Sequence, residues 1–237
     1  MKRVTSIFVA VAIAGISAQA SVNIISWAYD NGLAVSGTAG VVPVNNWNLT
    51  GDGSSNGLKD NNGVSTSTTL TLAGGLGAWG IGGAVQDPNG TYNNAIFDGY
   101  YNSVGSTLTL GSIPYAKYDL YVYISSDGDG RTGTISDGAT TYSFSTDTRA
   151  KVDAHGNFVF AQTTDTGLSH PSADYAVFSD LTGASETLTI ANASDGMGFA
   201  GIQIEAVPEP VNVALGVFGG LFAVVGLGKI VRRMKAA

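Results

Sequence analysis

Between residues 21 and 206 the chain has no stretch in which apolar side chains return at helical spacing. Instead it carries short runs rich in Thr, Val, Ile, Tyr, Phe and Leu, each closed by Gly, Asn, Asp or Ser. β-Branched and aromatic residues suit a pleated, half-buried strand, and the small polar residues between them suit turns. The pattern predicts strands at 22–27, 66–72, 78–85, 106–110, 118–125, 132–136, 141–145, 157–162, 175–179, 186–191 and 199–205. The clearest places Tyr118, Leu120, Val122 and Ile124 on one face and Asp119, Tyr121 and Tyr123 on the other, as a two-residue period requires. The first face is expected to be core and the second a partly covered aromatic surface. Many strands without a helix give an all-β expectation: a single antiparallel β-sandwich or jelly roll over 21–206, within the roughly 200 residues that such domains reach undivided.

A small theme recurs at Thr69-Leu70-Thr71-Leu72, Thr107-Leu108-Thr109-Leu110 and Thr187-Leu188-Thr189-Ile190. Each suits a strand with one dry face and one wet. Spacings of 38 and then 80 residues are too irregular for a solenoid or propeller, so these are strands rather than modules. Trp27 and Trp79, inside predicted strands, are expected in the core. The run from Leu110 through Ile113, Pro114, Tyr115 and Tyr118 to Tyr123, with the closing Gly201-Ile202-Gln203-Ile204, resembles strands of galactose-binding-like jelly rolls. That resemblance implies sugar or calcium binding, although one fold hosts many functions.

The two ends read differently. Lys2 and Arg3, an apolar run over 7–16 and Ala18-Gln19-Ala20 before Ser21 have the layout of a secretory signal peptide over 1–20, cleaved after Ala20. At the other end Pro208-Glu209-Pro210 precedes an uncharged apolar run over 211–227, then Lys229, Arg232 and Arg233. At about 1.5 Å per residue the run is about 25 Å long as a helix, which spans a bilayer once the stem of Lys229 reaches to the interface. Basic residues stay cytoplasmic, so both ends agree in sending 21–206 across the membrane. The Pro-Glu-Pro motif, single span and basic end, in that order over 207–237, resemble the PEP-CTERM sorting signal of Gram-negative bacteria. The resemblance implies a protein held at the inner membrane by its C-terminal helix, processed by an exosortase, and sent to the cell surface or exopolysaccharide matrix. An ordinary C-terminal membrane anchor is the alternative.

Composition narrows the partners. The chain carries a net charge of -7, and 21–206 hold five Lys or Arg against 17 acidic residues. Such a surface repels nucleic acid. Without cysteine there is no disulfide, thiolate nucleophile or zinc–thiolate site. Asp52, Asp98, Asp127, Asp129, Asp137 and Asp195 each precede glycine, a favoured turn pair. Asp127 and Asp129 form the densest group and could offer oxygens to Ca²⁺, but the loop lacks an EF-hand continuation and Arg131 is placed to neutralise it. The turn at Asp60-Asn61-Asn62-Gly63 is a weaker candidate for the same ion.

No catalytic residue is assigned. Glycoside hydrolysis usually needs two placed carboxylates, and Glu186 and Glu205 stand at strand or domain ends. His155 and His170 belong to polar loops with no H-E-x-x-H or G-x-S-x-G partner, and the Gly-rich pieces lack the Lys-Ser/Thr of a phosphate loop. Aromatic residues remain: Trp27, Trp47 and Trp79, with Tyr92, Tyr100, Tyr101, Tyr121 and Tyr123, could provide a platform on which sugar rings stack. Trp47, with Asn46 and its neighbours Asn45 and Asn48, is the candidate for stacking a sugar ring, against the reading that a loop tryptophan simply packs. The sequence reads as an exported, non-enzymatic surface or matrix protein associated with exopolysaccharide. A carbohydrate-binding module is the alternative, and an envelope hydrolase a third.

Overall fold

Alternation along the strands builds two sheets whose apolar faces meet. In the computed structural model the described residues are 22–208 apart from 31, 33, 52, 76, 81–85, 103, 104, 148–151, 192, 193 and 195. In chain order the strands are β1 (Ile24–Tyr29), β2 (Asn48–Thr50), β3 (Ser54–Asn56), β4 (Thr69–Ala73), β5 (Gly77–Gly80), β6 (Gly99–Asn102) and β7 (Thr107–Gly111). They continue with β8 (Tyr118–Ser126), β9 (Thr132–Ser136), β10 (Thr141–Ser145), β11 (Gln162–Thr163), β12 (Tyr175–Leu181), β13 (Glu186–Ala191) and β14 (Met197–Ala206). One helical turn, α1 (Asn93–Ile96), precedes β6. The larger sheet runs β11-β12-β8-β14-β1-β2, with β6 joining β14 and β5 joining β6; the smaller runs β10-β9-β13-β7-β4-β3. Among the described residues no helix is long and apolar enough to cross a membrane.

The core lies between the sheets. Tyr118, Leu120, Val122 and Ile124 of β8 are buried there, as their alternation predicts, with Trp27 of β1 and Ile202 and Ile204 of β14. From the smaller sheet come Leu70 and Leu72, Leu108 and Leu110, and Leu188 and Ile190. The three Thr-Leu strands are thus β4, β7 and β13, side by side: Thr71 pairs with Thr109 and Thr109 with Thr187, while Leu72 and Leu188 flank Leu108. Leucine lines the dry side and threonine the wet one. With no cysteine to cross-link the chain, stability rests on this burial, about 1.5–3 kcal/mol for each large apolar side chain.

Three sequence expectations are corrected. The sandwich is not wholly antiparallel, because β1 pairs with β2, and β11 with β12, in parallel. A parallel neighbour demands a long crossover, and residues 30–47 and 164–174 supply it. Second, the strand expected over 157–162 reduces to Gln162–Thr163 at its end. Asp153 curls the preceding segment by accepting the backbone N–H groups of His155 and Asn157 (2.8 and 2.9 Å), and Phe158 and Phe160 turn into an aromatic cluster. Third, β2, β3, β6 and α1 form where no element is expected; tertiary pairing creates these short pieces. Of the strand expected over 78–85, residues 78–80 lie in β5 and 81–85 outside the described residues. The side chain of Trp79, the signal segment with Ala18 and Ala20, and the tail with Glu209, Pro210, Arg232 and Arg233 also lie outside them.

Candidate functional site

The outward face of the larger sheet is not simply wet. The crossover over 30–47, the α1 segment and the segment around Phe158 fold across it and enclose a second apolar cluster, with Ala28, Val35, Ala39, Ile96, Phe97 and Tyr123 buried in it. Gln203 on β14, itself fully buried, fastens the crossover. Its Oε1 accepts the Val42 N–H (3.2 Å) and the Tyr123 hydroxyl, while its Nε2 donates to the Val42 carbonyl (2.7 Å) and Ser26 Oγ (3.2 Å). Val41 N–H donates in turn to the Tyr123 oxygen (2.8 Å). Gly40, at φ +99°, is required here: a Cβ would sit 2.5 Å from Gln203 Oε1, and positive φ disfavours any side chain.

Around Tyr123 the rings of Trp47, Phe97, Phe160 and Tyr175 lie at centroid distances of 6.1, 5.8, 5.8 and 6.1 Å. Phe97 stacks on Phe158 at 4.5 Å. Trp47, Phe160, Tyr121 and Tyr175 form the half-buried margin of the cluster. Tyr121 and Tyr175 are 6.5 Å apart with planes 28° from parallel. The Tyr121 hydroxyl donates to Glu205 Oε2 (2.7 Å) and the Tyr175 hydroxyl to Gln162 Oε1 (3.5 Å). Burial pushes the Tyr121, Tyr123 and Tyr175 phenols above their ordinary range; the bond to Glu205 adds to the effect at Tyr121, and the charge of Asp174 at Tyr175. All three remain protonated donors at neutral pH. Beside this strip, Asp119 of β8 stands directly across from Glu205 of β14, so the margin is acidic. Asp119 Oδ1 accepts the Asp180 N–H (2.8 Å), and Lys117 is paired with Asp180 at 2.6 Å.

The residues singled out from sequence do not converge. Trp47 leans on Tyr123 and its Nε1 donates to the Val44 carbonyl (3.2 Å). The asparagines beside it brace loops: Asn46 Nδ2 donates to the Asn61 carbonyl (2.8 Å), and Asn48 bonds Ser26 and Lys59. Asp127 is held by Arg131 through Nε and Nη2 (3.1 and 2.9 Å), while Asp129 is exposed in the same turn. Asp60 Oδ1 accepts the N–H groups of Asn62 and Val64 (2.9 Å each), closing its own turn, and Asp137 does the same between β9 and β10. Among the described residues no group of three or more His, Asp or Glu is placed to hold a metal. His155 is exposed, whereas His170 is half-buried with Nδ1 at 3.3 Å from the Phe144 carbonyl. Pro208 is exposed and follows Val207, whose N–H donates to the Lys117 carbonyl (2.9 Å).

Sequence reasoning missed Gln203, Phe97, Phe158 and Phe160. Alternation in Gly201-Ile202-Gln203-Ile204 turned Gln203 outward, and an outward glutamine ordinarily reads as solvated. No protein-family model matches the chain, no curated protein matches it, and no solved structure matches it.

Proposed function

We propose that the chain is an exported, non-enzymatic protein of the cell surface or extracellular polysaccharide matrix, its β-sandwich a jelly roll delivered by a C-terminal sorting tail. The observation that carries this reading is the order Pro208-Glu209-Pro210, uncharged run, Arg232-Arg233 directly after the last strand. Supporting it, main-chain hydrogen bonding reaches Val207 and Pro208 is exposed, which suits access by a processing enzyme of the exosortase type. Residues 1–20 serve as the export signal, with cleavage after Ala20, and the apolar run holds the precursor in the inner membrane until processing. Calcium forms no part of the reading, because Arg131 already neutralises Asp127.

A carbohydrate-binding role is the second reading, favoured by the half-buried aromatic margin of the larger sheet. The test of delivery is intact mass with N- and C-terminal sequencing of protein recovered from the envelope and medium of the native host. A chain from Ser21 to about Pro210 outside the inner membrane is expected. Retention of 211–237 in the inner membrane would sink the sorting reading and leave a plain anchor.

A further inference from the structure

We propose that the strip formed by Tyr121 and Tyr175, with Glu205 and Gln162 at its ends, is a binding site for an uncharged polysaccharide chain. The proposal rests on delivery to a polysaccharide-rich exterior, where such a chain is at hand. Three observations carry it. Tyr121 and Tyr175 are near parallel at 6.5 Å, wider than the roughly 3.5–4.0 Å of touching carbon atoms. The rings are therefore offset rather than eclipsed, and both are only half-buried, so part of each is open to the C–H face of a pyranose. Each ring also has its hydroxyl held by a neighbouring side chain, Tyr121 by Glu205 and Tyr175 by Gln162, so little rotamer freedom is lost on binding.

Charge selects the ligand. Glu205 is an acceptor-only carboxylate and Asp119 stands directly across from it, while glycan hydroxyls are donors. A neutral chain supplies both the apolar face and those donors. A uronate-bearing chain would bring like charge against the Asp119–Glu205 pair, which is repulsive. Gln203 and Val41 fix Tyr123 beside the strip, directly across from Tyr175, so the platform exists before any ligand arrives. Trp47, packed on Tyr123 and bonded to Val44, is a support of this platform rather than its binding surface.

The test is isothermal titration of the full chain in detergent micelles with the neutral hexamers of β-1,4-glucose, β-1,3-glucose and β-1,4-mannose, and with hexagalacturonate. Saturable binding of a neutral hexamer is expected, with hexagalacturonate inert. Tyr121→Ala and Tyr175→Ala should each weaken binding about tenfold or more, measured at a temperature where the variants are folded, and Tyr121→Phe should weaken it less. No binding by any neutral hexamer overturns the proposal, as does equal binding of hexagalacturonate or wild-type affinity in both alanine variants. If those variants fail to fold, hydroxyl-radical footprinting of the wild type decides. Bound hexamer must protect Tyr121 and Tyr175 but not Tyr142 on the smaller sheet, and unchanged oxidation of the first two sinks the site. Binding in micelles does not depend on where the chain is delivered. A failed titration with correctly processed termini therefore refutes the site alone, and a retained tail with sound binding refutes delivery alone.

Discussion

Single side chains decide how the outer face of the larger sheet is covered, and Gln203 shows why. Both its amide atoms are used, holding Val42, Tyr123 and Ser26. Gln203→Leu would leave the buried Tyr123 hydroxyl and both main-chain groups of the half-buried Val42 without that partner, at up to about 1–3 kcal/mol per stranded group. A loss of about 2–4 kcal/mol in the unfolding free energy from urea titration is expected; a change under about 0.5 kcal/mol would show that the crossover does not need this clamp. Asp165 is a second such residue. Its carboxylate accepts bonds from Ser143 Oγ and from the Gly167 and Ser169 N–H groups (3.0 Å each), and these hold its pKa below the ordinary value. A depressed folded pKa means stabilisation present above the unfolded value of about 3.9 and lost as pH falls through the folded one. The amide shifts of Gly167 and Ser169 should titrate below about pH 4 and stop doing so in Asp165→Asn. If the variant's shifts titrate like the parent's, another group controls the loop.

Strands carry the part of the fold that sequence exposes most directly. Local alternation predicts which side of β8 is dry, and it marks β4, β7 and β13 as amphipathic. It does not reveal that those three are neighbours, because their pairing spans far-separated segments. Leu108 is fully buried between Leu72 and Leu188, while Thr109 meets Thr187 on the open side, with hydroxyls 3.3 Å apart. Leu108→Ala is expected to cost about 2–5 kcal/mol and Thr109→Val to stay within about 0.5 kcal/mol, both by chemical denaturation. Comparable losses at the two positions would mean that the dry and wet sides are misassigned. Residues 157–162 have strand composition yet coil for the most part, because Asp153 offers their backbone a closer partner and the phenylalanines a better burial. Propensity yields to tertiary burial there.

Across the whole molecule the first and last strands lie side by side: β14 pairs with β8, β6 and β1. Closing that pair brings together the far ends of the β region, so the larger sheet cannot be completed until the last strand is available. A chain ending at Gly196 should show no cooperative thermal transition by circular dichroism, whereas one ending at Pro208 keeps every strand of the described residues and should melt cooperatively. A cooperative melt in the shorter chain would refute a central role for β14. Taken by itself, the sequence determined the β class, the dry face of the main strands, the acidic balance and the motifs of both ends, since these follow from near neighbours and composition. Tertiary structure alone decided the strand order, the two parallel edges and the burial of Gln203, and it gathered Tyr121, Tyr175 and Glu205 into one strip. The physical reason is that a strand's alternation marks two faces but not what covers the second. At this sheet the cover is a crossover from a distant part of the chain, held by side-chain bonds that no local pattern announces.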